Sequence, residues 1–444
     1  MPPETSCCKG YRINPRGSSV QVYDIDGLYE AINFHGHCSH CKRTFHSCYV
    51  ERVDCVREFR EKYDVFQVTS GIAFTTRFLR HISLQVTIGW TSFEKIADIY
   101  NQEMGLTSRL LEAGVVQDTW LLYRITQYTP HVTWHRKSNS HINVEKICLE
   151  SYPVIRRMVD DRWMSHKCEE VGCSNRAIVI DGNEKLFRYI CAKQIEVVKG
   201  DRSQINQSIR CHNNPARGNK SQIGNKLCEY HSKDQCNEPN GHRLDLRPVT
   251  REYAKKIEDK HVSGEGCKLS SNLNKYEDRS AGMLYIFRTC GIRLTHVEMF
   301  TAESLSLVFT TLIDLFSNMP EPSKISTIIY DRACDLHPYL TRLAKNGNEV
   351  AKNFLNLRYI VDIFHAEKHT MPKCGLASGE CLYHPDLPQF SDIRAANTEV
   401  CEQSFHVLNP GKHITRNMTY GKRLCLLKIV DDDFNSRKEN KIKL

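Results

Sequence analysis

The sequence has no apolar run approaching the roughly 20 residues that a bilayer-spanning helix needs, so no helical membrane span is expected. Met1–Gly10 is polar and carries a Cys pair, which does not read as a secretory leader. Without a leader, twenty cysteines are not expected to form an extracellular disulfide framework. No single basic run dominates. The net charge of +9 and pI near 8.6 therefore suit a nucleic-acid partner without identifying one. Apolar residues are scarce from Gly200 to about Ser280, where Asn, Lys, Arg and Ser prevail. That stretch reads as an insertion and not as part of a core.

What the chain does have is length for two to four domains, ordinary globular composition, and twenty histidines beside its cysteines. In a reducing compartment such residues are more often metal ligands than disulfide halves. Cys38-x2-Cys41 has the spacing that lets two thiolates reach one tetrahedral Zn²⁺, and Cys48 and Cys55 would close the site. In the insertion, Cys211, Cys228-x2-His231 and Cys236 form a second zinc set, and a metal would order a segment with so few apolar residues. Its Arg210, Arg217 and Lys220 either contact DNA phosphates or form a solvated loop surface. His365 and His369 lie at i, i+4, with Cys374 and Cys381 behind them. They form a third zinc set, or His365 instead hydrogen-bonds beside a carboxylate site. Cys168, Cys173 and Cys191 are a small metal clip or buried thiols.

Four segments follow. Residues 1–62 are the cysteine-rich zinc cluster. Residues 63–166 read as helical. There Thr91-Ser-Phe-Glu94 is a capping box opening a helix with Phe93, Ile96, Ala97 and Tyr100 inward. Phe78–Val86 precedes it across Ile88-Gly-Trp90. The pair is either a helix-turn-helix exposing Lys95 to DNA or an ordinary helical pair. Leu110–Tyr128 and Lys146–Trp163 read as further helices. Residues 167–416 form an α/β core interrupted by the insertion at about 192–280. Residues 417–444 are a C-terminal helix with a charged tail, frayed beyond Asp433.

The core carries the chemistry. Ala177-Ile-Val-Ile-Asp181-Gly-Asn reads as a buried strand, a hairpin and a partner strand, Leu186–Cys191. On its own, Asp181 is either a hairpin residue or an acid held at the rim of a core. Met283–Phe287 is a third strand and His296–Asn318 a helix stopped by Pro320 and Pro322. Ile325–Tyr330 is a fourth strand ending in Asp331, and Leu357–Ile363 a fifth. Asn397–Asn409 is a helix bearing Glu399 and Glu402. Taken together, this order is the ribonuclease-H-like one, an α+β arrangement that brings Asp181, Asp331 and a Glu into one pocket. Such a cluster is costly unless Mg²⁺ or Mn²⁺ neutralises it. Two such ions suit hydrolysis and transesterification of a phosphodiester.

The chain resembles the KDZ (Kyakuja–Dileera–Zisupton) transposases with their associated cysteine cluster. The resemblance rests on the cysteine-rich start, Cys173-Ser-Asn-Arg-Ala-Ile-Val-Ile-Asp-Gly-Asn, Tyr330-Asp-Arg-Ala-Cys, Val361-Asp-Ile-Phe-His365-x3-His369 and Asn397-Thr-Glu-x2-Glu402-Gln-Ser-Phe. It implies a DDE-type nuclease and strand transferase acting on transposon-end DNA in the nucleus, as a single chain or a homo-oligomer. It maps the acids onto Asp181, Asp331 and the Glu399/Glu402 pair, with Glu402 favoured. Gln403 stands where the family has Arg, and Phe405 where it has Trp. These departures fit a decayed or domesticated copy, whose alternative role is that of a non-catalytic, zinc-stabilised DNA- or protein-binding module.

Overall fold

A computed structural model describes residues 12–108, 110–135, 142–168, 173–190, 194–196, 208–210, 279–300, 303–366, 381–393 and 396–442. The chain is mixed α/β and divides into two units, Met1–Val159 with Thr419–Phe434, and Asp160–Met418 with Asn435–Leu444. No helix among the described residues is long and apolar enough to cross a membrane.

The first unit begins with short strands: β1 (Arg12–Ile13), β2 (Ser18–Asp24), β3 (Gly27–Asn33), β4 (Gly36–His37), β5 (Thr44–Phe45), β6 (Tyr49–Glu51), β7 (Val56–Phe59), β8 (Val65–Gln67), β9 (Ile72–Thr75) and β10 (His131–Thr133). They make two sheets, ordered β1-β4-β5-β6-β7-β10 and β3-β2-β9-β8. Asp24 and Gly27 close the β2–β3 hairpin, with Gly27 at φ 154°. The Asp24 carboxylate accepts bonds from Thr75 Oγ1 and the Arg77 guanidinium, pinning the start of the first helix to that turn. Phe66, Phe74, Phe78 and Tyr100 form a buried aromatic core. Residues 64–75, expected to be helical, are strands. Val65, Phe66 and Val68 and then Ile72, Ala73 and Phe74 form two short runs split by Thr69-Ser-Gly71, which turns the chain between β8 and β9.

The helix pair Thr76–Thr87 and Phe93–Glu103 is present, but Ser92 caps the second helix through the Lys95 N–H, so Thr91 is not the cap. Ala113–Tyr128 and Val144–Met164 follow. The expectation of a frayed tail is overturned. Tyr420–Ile442 is one continuous helix. Its first turn is capped by the Glu145 carboxylate, which accepts bonds from the Gly421 and Lys422 N–H groups. Further along, Arg124 grips Asp433 with two bonds of 2.7 and 2.8 Å, and Tyr128 donates to Asp432. Charges that look solvated in the sequence are thus consumed by partners more than 300 residues upstream.

The second unit is built on a five-stranded sheet. Its strands are β11 (Ala177–Asn183), β14 (Gly282–Arg288), β15 (Arg293–Met299), β16 (Thr327–Tyr330) and β17 (Arg358–Ile360), ordered β15-β14-β11-β16-β17. A separate two-stranded ribbon joins β12 (Gln194–Glu196) and β13 (Ser208–Arg210). Only β14 runs against the other four strands of the main sheet. All of β14, and Ala177–Ile180 of β11, are buried, as central strands covered on both faces must be.

Two expectations fail here. The Gly182-Asn183 step is not a hairpin, because β11 continues through it, pairing with Leu284 and Met283. Leu186–Cys191, expected as the partner strand, is not in the sheet: its described part, up to Ile190, makes one isolated bridge, Tyr189 to Arg279. The third strand is instead Arg293–Met299, which takes the first four residues of the helix expected over His296–Asn318. That helix begins only at Leu305, capped by Ser304. Ala333–Lys345, Glu349–Phe354, Ile363–Ala366, Val400–Leu408 and Lys412–Thr415 complete the unit.

Candidate metal centre

The parallel pairing of β11 with β16 is in register from Ala177↔Thr327 to Ile180↔Tyr330. The next residue on each strand is an aspartate. Adjacent strands lie about 4.8 Å apart, so the register alone brings Asp181 and Asp331 side by side. Burial of both strands up to that point holds the two carboxylates rigidly at the rim of the core.

Glu303 joins them from the turn before the Leu305–Asn318 helix. Ligand oxygens of Asp181, Glu303 and Asp331 all lie within 4.8 Å of one another. Glu303 is oriented by the Tyr330 hydroxyl, which donates to Oε1 at 2.7 Å. Gly182 makes room for it, since Glu303 Oε2 fills the space that a Cβ on residue 182 would take. The Asp-Gly pair therefore serves a close approach and not a turn. Asp181 Oδ1 accepts the Gly182 N–H at 2.7 Å.

Three carboxylates this close repel. Burial, followed by Glu303 and Asp331, drives the Asp181 carboxyl well above the usual range. Burial and Asp331 push Glu303 up to about 7. Burial raises Asp331 to about 6, opposed by His365 and Arg332. His365 belongs to this site. Its Nδ1 lies 2.8 Å from Asp362 Oδ2, and its N–H donates to Asp362 Oδ1 at 3.0 Å. That hydrogen bond raises its pKa, with the Asp331 and Glu402 charges adding to the effect. Among the described residues His365 and Cys381, which is buried, share no group of three or more candidate ligands. His369 and Cys374 lie outside the described residues.

Glu402 stands in the first turn of Val400–Leu408, a helix packed on β11 and β14 through Phe405 against Tyr285 and Phe287. It is exposed and outside the three-carboxylate group, though its charge acts on both Asp181 and His365. Glu399 is exposed ahead of the helix, its N–H bonded to Asn397 Oδ1. Gln403 accepts from the same Asn397 side chain at 2.8 Å. Glu303 was missed by sequence reasoning because it fell inside an overlong helix. The signal was Ser304, an N-cap residue three positions before the helix's first bonded N–H at Leu307.

Of the cysteine set of the first unit, Cys38 and Cys41 share one cluster. Cys38 is buried with Phe45 and Val50, and Cys41 packs on that cluster. Cys48 is fully buried and accepts the Gln67 N–H, and burial raises its pKa. Cys55 is exposed at φ 62°. Among the described residues the four do not meet within 4.8 Å. Cys211, Cys228, His231, Cys236, Arg217 and Lys220 lie outside the described residues, and of Arg210 only the backbone is described, in β13. Lys95 is exposed, but Glu94, Asp98 and Glu103 share its helix and its exposure.

Comparison with known proteins gives two family matches. The model of the Kyakuja-Dileera-Zisupton transposase matches residues 175–435, more than half of the chain. That of a CxC5-like cysteine cluster associated with KDZ transposases matches residues 2–104. No curated protein and no solved structure matches.

Proposed function

The chain belongs to the KDZ transposase family, and from that premise we propose that its carboxylate group is the divalent-cation centre of a DDE-type DNA nuclease and strand transferase. The observation that carries this reading is the register that sets Asp181 beside Asp331 on neighbouring parallel strands. The strand order β15-β14-β11-β16-β17, with β14 alone reversed, agrees with a ribonuclease-H-like core.

The residues fit Mg²⁺ or Mn²⁺. They offer hard oxygen donors, and burial with mutual repulsion raises their pKa values, which His365 and Arg332 offset only in part. When bound, the cation neutralises this charge and activates the attacking oxygen of a phosphodiester exchange. Asp181 and Asp331 hold it, and Glu303 is the nearest further ligand. Glu402, on its helix beside β11, is the residue that maps onto the family's third acid and would add a further carboxylate near the cation. Asp362 engages His365 Nδ1 and raises its pKa, which leaves Nε2 to donate to a phosphate oxygen when the ring is protonated. The substrate is DNA at transposon ends, which places the work in the nucleus. Zinc is the natural occupant of the cysteine cluster.

The test is cation-dependent nicking of plasmid DNA by the purified chain. Asp181→Asn abolishes nicking while fold and DNA affinity persist. Equal nicking by the variant removes the enzymatic reading and leaves a binding protein derived from a transposable element.

A further inference from the structure

A second group of ligand atoms lies at the other end of the sheet. His166, Cys168 and Cys290 offer atoms within 4.8 Å of one another. His166 Nε2 is 4.0 Å from Cys290 Sγ. Tetrahedral zinc, with bonds of about 2.3 Å to sulfur and 2.0–2.1 Å to nitrogen, spaces its ligands roughly 3.5–3.8 Å apart. The group needs only slight contraction to match. The Cys173 thiol stands outside that group of three but interacts with both Cys290 and Cys168, which makes it the candidate fourth donor.

The surroundings are built for the set. Cys290 sits on the tight β14–β15 turn, where Gly291 takes φ 87° and its N–H returns to Arg288 O. Cys168 is held by two bonds to Asn175, from its N–H to Oδ1 and from Nδ2 to its carbonyl. Cys173 Sγ accepts from Thr289 Oγ1 at 3.6 Å. His166 turns its other nitrogen, Nδ1, to Glu439 Oε1 at 3.5 Å, the carboxylate–histidine pairing that orients a metal-bound imidazole. The imidazole is only 4% exposed. Arg288 faces the three thiols and is anchored to Asn175 O and Met164 O. Three thiolates and one neutral imidazole around Zn²⁺ carry a net charge of −1, which the Arg288 guanidinium balances.

We propose that His166, Cys168, Cys173 and Cys290 form a Cys3His structural zinc site. It ties the segment entering β11 to the β14–β15 turn. With all four positions filled by protein, it holds no open position for substrate. It lies at the Ile178 end of β11, three residues along the strand from Asp181, and is separate from the carboxylate centre. Cys290 comes from a turn more than 100 residues downstream, which hid the set from a reading by spacing.

The test maps metal protection onto named thiols in the full unmutated chain. Zinc-loaded protein is treated with iodoacetamide before and after chelation, and alkylation is read peptide by peptide. Cys168, Cys173 and Cys290 should be shielded with zinc and should become reactive together once it is removed, while Cys148 is unchanged. Equal labelling in both states overturns the proposal, as does a Cys173–Cys290 disulfide in the zinc-treated chain. In parallel, Cys290→Ser should lose one zinc per chain against the parent, and His166→Cys should retain it with an added thiolate–Co²⁺ absorption after cobalt exchange. An unchanged zinc content in folded Cys290→Ser also overturns it.

Discussion

Glu303→Gln isolates the repulsion on which the carboxylate centre depends. In the cation-free chain Glu303 titrates near 7 instead of 4.5, because burial and Asp331 disfavour its anion. A folded-state pKa above the unfolded one stabilises the fold fully at low pH, and that stability is lost as pH rises through about 7. At about 1.4 kcal/mol per pH unit, the ionised form costs about 3 kcal/mol at pH 8. Glutamine keeps the shape and can still accept the Tyr330 hydroxyl. In chelator, Glu303→Gln should therefore be more stable than the parent by up to about 3 kcal/mol at pH 8, and little different below pH ~4.5. For a unit of this size that corresponds to a rise in melting midpoint of about 6–12 °C. Calorimetry across pH, with chelator and then with excess Mg²⁺, reads the effect. Mg²⁺ should restore the parent at pH 8 far more than the variant. Identical pH slopes for the two proteins, with equal responses to Mg²⁺, would refute the reasoning.

Other consequences are equally direct. Gly182→Ala puts a methyl where Glu303 Oε2 sits, and should cost about 1–3 kcal/mol by denaturant unfolding and weaken Mn²⁺ binding. Asp433→Asn leaves Arg124 buried without its charge partner, and should lower stability by about 3 kcal/mol or more in urea melts. Asp362→Asn removes the main cause of the raised His365 pKa, so the imidazole NMR titration should move to lower pH.

The acid-bearing strands are legible because an apolar run followed by a carboxylate is a local pattern: Asp331 follows the end of β16, and Asp181 lies within β11 where its fully buried run stops. The Asp-Gly step misled because a hairpin and a close approach use the same dipeptide; only Glu303, more than 100 residues away, decides between them. β15 was missed because Arg293, Thr295 and Glu298 look solvent-facing, yet Arg293 and Glu298 are buried, the latter paired with Arg188. The C-terminal helix is legible, but its charged end beyond Asp433 reads as frayed, and the partners that hold Asp432 and Asp433 are remote in sequence. What stayed illegible is long-range pairing of charged groups, which periodicity cannot encode.

The most direct measurement is anomalous diffraction from crystals soaked in Mn²⁺. The account predicts a manganese peak within bonding distance of both Asp181 and Asp331. A well-ordered site with no such peak, or manganese bound only elsewhere, would contradict it.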